Sequence, residues 1–365
     1  MEVFEAAERR AATGAEVVRL EVGQPETPAP AGVVARAHEM LDADVLGYGS
    51  VHGVPELRQR LADHYRSWYD LDIDPARFVV TVGASGAFTL AFLSAFDIGD
   101  RVGVTIPGYP CYRNALEALG IEVVPLMTGF EHGFQPTVEM LEAAGPLDGL
   151  VVTSPSNPTG TMIGRERFAA ISAWCDEHNT VLVSDEIYHG LTYGEQAVTA
   201  LAFSDEAIVV NSFSKYFSMT GWRLGWLVLA PELVGPATRF GSNLLLGAHT
   251  LSQLAGIAAF DCHDELQGHL SRYATNRAVL LDGLARAGID KLAPAQGAFY
   301  VWGDVSHLSN DSQALSAQWL DELGIATTPG IDFDPYEGHR YLRLSFCGAT
   351  ADMHRCIDLL VGHYG

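Results

Sequence analysis

The sequence predicts an α/β protein with two domains, the larger built on a doubly wound mixed sheet and the smaller of α+β type. Two observations support this prediction. Short apolar runs alternate with amphipathic segments along the chain, as strands and helices do in a doubly wound sheet. A chain of 365 residues is also too long for one ordinary hydrophobic core. We expect the large domain to span residues 26–250 and the small domain to combine residues 1–25 with residues 251–365.

The composition is that of a soluble globular protein. Hydrophobic residues make up 48% of the chain and charged residues 18%, and the net charge of −23 disfavours nucleic acid and anionic membranes as partners. The five cysteines form no CxxC pair, so we expect reduced thiols, no metal site and a cytoplasmic location. No stretch approaches the ~20 apolar residues of a membrane span, and no signal-peptide pattern is present.

The first part of the chain combines helix patterns with glycine-containing loops. Residues 2–14 place apolar side chains on one helical stripe and end at Gly14. The strand-like residues 17–20 then lead into a loop that contains Gly23, and a second glycine-rich loop carries Tyr48. Taken alone, each loop is compatible with ordinary turn chemistry.

A strand followed by a turn of small residues predicts an anion site. Residues 78–82 form a short apolar run, and Gly83-Ala84-Ser85 then opens a long apolar helix that reaches Phe96. The amides of a first helical turn and the positive end of the helix dipole bind phosphate, and Ser85 can add a hydroxyl. A purely structural role remains open, because many α/β turns are rich in glycine.

Strand and helix patterns continue to alternate after this turn. Strand patterns cover residues 101–106, 122–126, 150–153 and 181–188, and helix patterns cover residues 137–144 and 165–178. Tyr109 follows the first of these strands, and Asn157 lies between two prolines after the third. Asp185 lies where we expect the carboxyl edge of the sheet, with Tyr188 three residues later. A carboxylate buried there needs a positively charged partner.

Lysine is scarce in this chain, which makes the position of Lys215 informative. Lys215 and Lys291 are the two lysines, and Lys215 lies in a polar bend between two apolar strand patterns, next to aromatic residues. We expect loss of water to lower the pKa of its amine and to favour attack on a carbonyl group. Arg223 offers a guanidinium suited to phosphate or carboxylate. Taken alone, the pair is more typical of a snorkelling lysine and a structural arginine than of a reactive site.

The last third of the chain predicts two long helices and a small sheet. Residues 233–260 and 266–287 are helical in character, and residues 296–302 indicate an edge strand. Arg343 lies on an apolar strand pattern near the end of the chain. A guanidinium in such a place needs an anion.

These segments resemble, in the same order, motifs of the class I/II aminotransferases, enzymes of fold type I that depend on pyridoxal phosphate (PLP). The matching segments include the loops around Gly23, Tyr48 and Tyr109, Ser154 to Gly160, Ser212-Phe213-Ser214-Lys215, Gly221-Trp222-Arg223, Pro329-Gly330 and Arg343-Leu344-Ser345. The resemblance runs from about Val17 to the end of the chain and therefore implies the fold, the cofactor and the site of that family.

The resemblance assigns a role to each candidate residue. It implies that Lys215 forms a Schiff base with PLP and then acts as general base, that Asp185 pairs with the pyridine nitrogen, and that Tyr188 tunes the site. The residues implied to contact the rest of the cofactor are Asn157 and Tyr188 at the 3′ oxygen, Tyr109 on the ring, Ala84, Ser85, Ser212, Ser214 and Arg223 near the phosphate, and Tyr48 reaching across a dimer interface. The residues implied to bind substrate are Gly23, Asn157 and Arg343.

The implied activity is transfer of an amino group from an L-amino acid to a 2-oxo acid by a homodimer with active sites at its interface. A PLP-dependent lyase or cyclase on the same fold would share these residues. Ser85 stands where some dicarboxylate-specific relatives carry lysine, which disfavours a substrate restricted to aspartate. A PLP-binding sensor without catalysis is disfavoured because no DNA-binding domain precedes residue 17.

Overall fold

The computed structural model describes residues 2–43 and 45–365, so Met1 and Asp44, which fall within the predicted domains, lie outside the described residues. The strands are β1 (Val18–Arg19), β2 (Phe78–Thr81), β3 (Arg101–Ile106), β4 (Glu122–Met127), β5 (Gly149–Thr153), β6 (Val181–Asp185), β7 (Ile208–Ser212), β8 (Gly225–Val228), β9 (Tyr300–Asp304), β10 (Ile325–Ala326), β11 (Thr328–Pro329) and β12 (Tyr341–Ser345). The helices are α1 (Glu2–Ala12), α2 (Ala31–Ala43), α3 (Pro55–Tyr69), α4 (Gly83–Ala95), α5 (Pro110–Ala118), α6 (Val138–Ala144), α7 (Arg165–His178), α8 (Pro231–Leu244), α9 (Thr250–Gly256), α10 (His263–Arg286), α11 (Ser312–Gln318) and α12 (Thr350–Tyr364).

Seven strands form one mixed sheet in the order β2–β8–β7–β6–β5–β3–β4. Adjacent strands are parallel except β8, which runs antiparallel to both β2 and β7. Alternate residues of the central strands enter different apolar clusters: Leu182 and Val209 lie in one, and Val183 and Val210 in the other. Strands buried on both faces require helices on both faces, so the observed architecture confirms the predicted α/β fold with a large mixed sheet.

The sheet topology brings the predicted site residues to one edge. Strands β2, β3, β5, β6 and β7 all run in the same direction, so their carboxyl ends meet at this edge. The residues that follow those ends include Gly83, Tyr109, Asn157, Asp185 and Lys215. Strand β8 starts at the same edge, just after Arg223, and its Gly225 pairs with Thr81 of β2.

Two smaller sheets involve the last part of the chain. Strands β11, β12 and β9 form an antiparallel sheet in which Arg343 pairs with Trp302. Strand β1 pairs in parallel with β10, with Val18 opposite Ile325, so the beginning of the chain packs with its end. The boundaries at residues 25 and 250 stay a prediction. Within the described ranges, no helix combines the length and apolar character that crossing a bilayer requires.

The predicted continuous helix over residues 233–260 is wrong, because the structure divides it. Helix α8 ends at Leu244 and α9 begins at Thr250. Between them, Leu246 and Gly247 have φ values of 56° and 92°, and two successive residues in that region cannot continue a right-handed helix. Glycine reaches this backbone conformation without a steric cost, so Gly247 permits the turn.

Candidate active site

A cavity of about 590 Å³ opens at the carboxyl edge of the large sheet. The predicted residues that line it are Gly23, Ala84, Ser85, Tyr109, Asn157, Asp185, Tyr188, Ser214, Lys215, Arg223 and Arg343. Two predicted residues do not line it. Tyr48 lies on a loop and is 89% exposed. Ser212 is buried, and its hydroxyl donates to the Leu224 carbonyl and lies 2.8 Å from the Ser214 hydroxyl.

Lys215 projects into the cavity from the bend between β7 and β8. Its Nζ atom donates a hydrogen bond to the Gly23 carbonyl (2.6 Å) and lies 5.8 Å from the ring centres of Tyr188 and Phe299. Burial lowers the pKa of the amine to about 8, and the nearby Arg343 acts in the same direction. A larger fraction of the Lys215 amine is therefore neutral near pH 7 than for a lysine in water, and the neutral amine is the nucleophilic form.

Asp185 ends strand β6 and is buried. One carboxylate oxygen accepts a hydrogen bond from the Ile187 amide (3.0 Å), and the other accepts from the Tyr112 hydroxyl. The Tyr112 oxygen in turn accepts from the Thr153 hydroxyl at 3.0 Å. Burial raises the pKa of Asp185 to about 6 despite these donors. The carboxylate is thus held in place, and a positive charge in the cavity would stabilise its ionised form.

The start of helix α4 and the guanidinium of Arg223 form a second part of the wall. A Cβ atom at Gly83 would lie 2.6 Å from Nη2 of Arg223, and a Cβ at Gly225 would lie 2.8 Å from the Gly83 carbonyl carbon. Both glycines are therefore needed for the close approach of helix, strand and guanidinium. Arg223 also donates to the Thr220 carbonyl (3.1 Å). A cation beside a helix N-terminus is suited to a phosphate.

Arg343 lies on β12, is buried, and donates hydrogen bonds to three groups of the protein. Nη1 donates to the Asn157 side-chain oxygen (3.0 Å), and Nη2 donates to the Glu21 carbonyl (2.5 Å) and the Thr328 hydroxyl (3.1 Å). Among the described residues, its buried Nε has no hydrogen-bond partner. A buried donor without an acceptor is costly, and a carboxylate that enters the cavity would satisfy it.

Two aromatic rings hold the Arg343 guanidinium. Its central carbon lies 4.5 Å from the Tyr300 ring centre and 4.7 Å from the Phe333 ring centre. Such contacts between a cation and an aromatic face are attractive and fix the plane of the guanidinium. Arg343 is therefore oriented before any substrate binds.

Tyr300 also explains why position 23 is glycine. A Cβ at Gly23 would lie 1.8 Å from the Tyr300 hydroxyl oxygen, which is closer than any pair of unbonded atoms can approach. The same hydroxyl lies 2.8 Å from the Tyr188 hydroxyl. The loop at Gly23, the ring of Tyr300 and the amine of Lys215 are thus packed as one unit.

We expect Gly23→Ala to lower the free energy of unfolding by about 1–3 kcal/mol, because the added methyl group must displace Tyr300 from a packed position. Chemical denaturation of the variant and the parent protein measures this difference. Gly164→Ala is the matched control, since a Cβ at Gly164 meets no atom within 4 Å. Equal stabilities for the two variants would contradict the expected clash.

Sequence reasoning missed several residues that line the cavity or support it. Tyr112 lies three residues after Tyr109, and this spacing near a helix start was a usable signal. Phe333 ends the segment that begins Pro329-Gly330, whose pattern was a usable signal, but it was given no role in the site. Tyr300 and Thr328 carried no local signal, because their position depends on the pairing of β9, β11 and β12.

Helix α1 also reaches the cavity, which its pattern did not indicate. Val3 and Phe4 line the cavity wall. Arg19 links this helix to the site: it forms ion pairs with Glu8 of α1 and with Glu21, and its guanidinium lies 5.0 Å from the Phe4 ring centre. The first turn of α1 is therefore part of the cavity wall.

Comparisons with known proteins identify the family. The sequence pattern of aminotransferase class I and II matches residues 15–360. The chain is 47% identical to the valine–pyruvate aminotransferase of Mycobacterium tuberculosis over 98% of this chain and 93% of that protein. A crystal structure of an aminotransferase from M. tuberculosis covers all of this chain with a TM-score of 0.98 and 46% identity, over 95% of its own length.

A more distant structure has the same fold. The Thermus thermophilus aspartate aminotransferase with maleate covers 99% of this chain and 95% of its own, with a TM-score of 0.93 and 31% identity. Together these matches support transamination over the lyase and sensor alternatives. The chain therefore belongs to the class I and II aminotransferases, PLP-using enzymes that move an amino group from an amino acid to a 2-oxo acid.

Proposed function

We propose that this aminotransferase holds PLP at Lys215 and acts on amino acids with uncharged side chains. The observation that carries the proposal is the distribution of positive charge in the cavity. Lys215, Arg223 and Arg343 are the basic residues among the described residues that line it. Each has its own surroundings: an enclosed amine, a guanidinium beside a helix start, and a guanidinium held between two rings.

The donors and acceptors of the cavity fit the chemical groups of PLP. The amides at Ala84 and Ser85, the Ser214 hydroxyl and Arg223 suit the phosphate, while Ser212 supports Ser214 from behind. Asp185 suits a protonated ring nitrogen, because a buried carboxylate is stabilised by an adjacent cation. The remaining contacts would come from Asn157 and Tyr188 at the 3′ oxygen and from Tyr109 on the ring face.

The side chains of this protein divide the chemical work. Bound PLP supplies an aldehyde and a ring that accepts electrons. Lys215 would hold the cofactor through its Nζ, and the same amine, once free, would be the base that removes the substrate Cα proton. Asp185 would keep the ring nitrogen of PLP protonated, and a positively charged ring accepts electrons more readily. Arg343 binds the α-carboxylate and thereby orients the Cα–H bond towards Lys215.

The rest of the wall favours an uncharged substrate side chain. Besides the three basic residues, the cavity wall includes the apolar residues Val3, Phe4 and Val22. Once the three basic residues have these roles, a second substrate carboxylate would find no further basic side chain among the described residues that line the cavity. The relative from M. tuberculosis, named for valine and pyruvate, supports the same substrate class.

A panel of amino acids with similar shape tests this proposal. Leucine, asparagine and aspartate differ mainly in polarity and charge, and valine adds a smaller apolar side chain. We expect kcat/KM for valine and leucine to exceed that for aspartate by about 100-fold, the cost of roughly 3 kcal/mol for a buried unpaired charge. Amino-group transfer to pyruvate measures each rate. Turnover of aspartate at a rate equal to or faster than that of leucine would refute the uncharged-substrate proposal. Asparagine has nearly the size of aspartate without its charge, so comparing these two substrates separates the effect of charge from that of size.

We also propose that the enzyme acts as a cytoplasmic homodimer. The loop that carries Tyr48 lies against the start of α9, where the Thr250 hydroxyl donates to the Gly47 carbonyl (2.8 Å). This region exposes several large apolar side chains, namely Leu41, Val45, Tyr48, Leu244 and Leu246. Apolar surface of this kind favours association with a second subunit, whose cavity Tyr48 would then reach.

A further inference from the structure

Tyr300 connects three parts of the cavity that sequence analysis had treated separately. It begins β9 and is 1% exposed. One face of its ring lies under the Arg343 guanidinium, its hydroxyl lies 2.8 Å from that of Tyr188, and the Gly23 backbone closes the space beside it. The side chain therefore has no room to move unless one of these neighbours moves first.

The direction of the hydrogen bond between the two tyrosines decides which hydroxyl keeps a proton to donate into the cavity. Within the described residues, each hydroxyl has the other as its hydrogen-bond partner. The Arg343 cation over the Tyr300 ring withdraws electron density and makes the Tyr300 hydroxyl the stronger donor. If Tyr300 donates to the Tyr188 oxygen, the proton of Tyr188 points into the cavity that both residues line.

We propose that Tyr300 is a positioning residue that fixes the Tyr188 hydroxyl as a hydrogen-bond donor into the cavity. This inference rests on the proposed function, in which Tyr188 donates to the 3′ oxygen of PLP. A donor whose own oxygen accepts a hydrogen bond is a stronger donor, because such bonds polarise one another. Tyr300 thus strengthens the effect of Tyr188 on the negative oxygen beside the Lys215 nitrogen.

The consequence is a change in how tightly the Lys215 nitrogen holds its proton in the loaded protein. Donation to the neighbouring oxygen disperses negative charge, so the nitrogen proton is released at lower pH. The other charged or titratable groups that face this tyrosine pair are Asp185, Lys215, Arg343, Tyr109 and Cys347. All of them remain in place when the Tyr300 hydroxyl is removed.

Tyr300→Phe tests the inference, since it keeps the ring under Arg343 and removes the hydroxyl. Titration of the visible absorbance of the PLP-loaded protein gives the midpoint pH of the Lys215 nitrogen. We expect the midpoint to rise by about one pH unit, the size of one neutral hydrogen bond expressed as a pKa shift. Tyr188→Phe should raise it further, and adding Tyr300→Phe to Tyr188→Phe should change nothing more.

Tyr193→Phe is the matched control for the loss of a phenol group. The Tyr193 hydroxyl donates to the Ala298 carbonyl (2.7 Å) near the start of β9, outside the cavity. We expect this variant to leave the midpoint unchanged. Replacement of Tyr300 by 3,5-difluorotyrosine gives a second test that keeps the shape, and its more acidic hydroxyl should lower the midpoint.

The outcomes separate this inference from the proposed function. A parent protein that gains no visible absorbance with PLP would refute the proposed cofactor site itself. A parent protein that titrates normally, with the same midpoint in Tyr300→Phe, would refute only the role of Tyr300. Additive shifts in the double variant would also refute it, because they would mean that Tyr300 acts without Tyr188.

Discussion

Replacing Lys215 with alanine is expected to abolish the absorbance band of the proposed Schiff base with PLP and to lower transamination by at least about 10⁴-fold. By the proposed roles, the variant would lose both the amine that bonds the cofactor and the base that moves the Cα proton, and proton transfer alone contributes up to about 10⁴-fold. Absorbance spectra and the rate of 2-oxo acid formation measure the two effects.

The chain offers a matched control for this variant, because Lys291 is its other lysine. Lys291 is 55% exposed at its side chain and pairs with Asp304 at 2.8 Å, away from the cavity. Lys291→Ala should keep absorbance and activity. Borohydride reduction of the loaded parent protein should add the mass of the cofactor to the peptide containing Lys215. A mass increase on the Lys291 peptide, or a Schiff-base absorbance band retained by Lys215→Ala, would overturn the proposed site.

Asp185→Asn is expected to lower kcat by about 10³-fold, the size of effect seen when one preorganised electrostatic contact is removed. Asparagine has nearly the same shape, and its side-chain oxygen can accept the hydrogen bond from either Ile187 or Tyr112. What it lacks is the negative charge that we propose to face the ring nitrogen of PLP. Steady-state kinetics with a good amino donor measure kcat, and a loss confined to KM would contradict this role.

The same carboxylate predicts a pH dependence of cofactor binding. Burial raises the pKa of Asp185 to about 6, so the free protein gains stability from the protonated form at low pH and loses that contribution as the pH rises through about 6. The proposed pairing with a protonated ring nitrogen needs the ionised form of Asp185, so the affinity for PLP should increase over the same pH range. Dissociation constants from pH 5 to 8 for the parent and Asp185→Asn isolate this effect, and parallel curves would refute it.

Local patterns were sufficient to predict the strands that carry the site, because their apolar runs are short, buried and bounded by turn residues. The predicted strand at residues 101–106 and helix at residues 165–178 have the observed bounds. The sequence also predicted that Asp185 lies at the carboxyl edge of the sheet, and the parallel pairing of β6 with β7 brings Lys215 to the same edge.

Contacts between distant segments could not be predicted in the same way. Tyr112 and Asp185 are 73 positions apart, and Tyr188 and Tyr300 are 112 positions apart. Their meeting depends on strand register and helix placement, for which a single sequence gives no direct signal. The left-handed turn at Leu246 was missed for a related reason, because leucine favours helices and only the surrounding packing forces it into that conformation.

The antiparallel strand β8 has a consequence for how the enzyme matures. The pairing of Thr81 with Gly225 between β2 and β8 brings Gly83 close to Arg223. A shift of this strand register by one residue would separate the start of α4 from Arg223, the two parts of the proposed phosphate site. Correctly assembled molecules alone would then capture the vitamin-derived ligand and gain its binding free energy. A supply of vitamin B6 during expression would in this way stabilise molecules with the correct register of β2 and β8. It would raise the yield of folded protein for variants destabilised at this edge of the sheet.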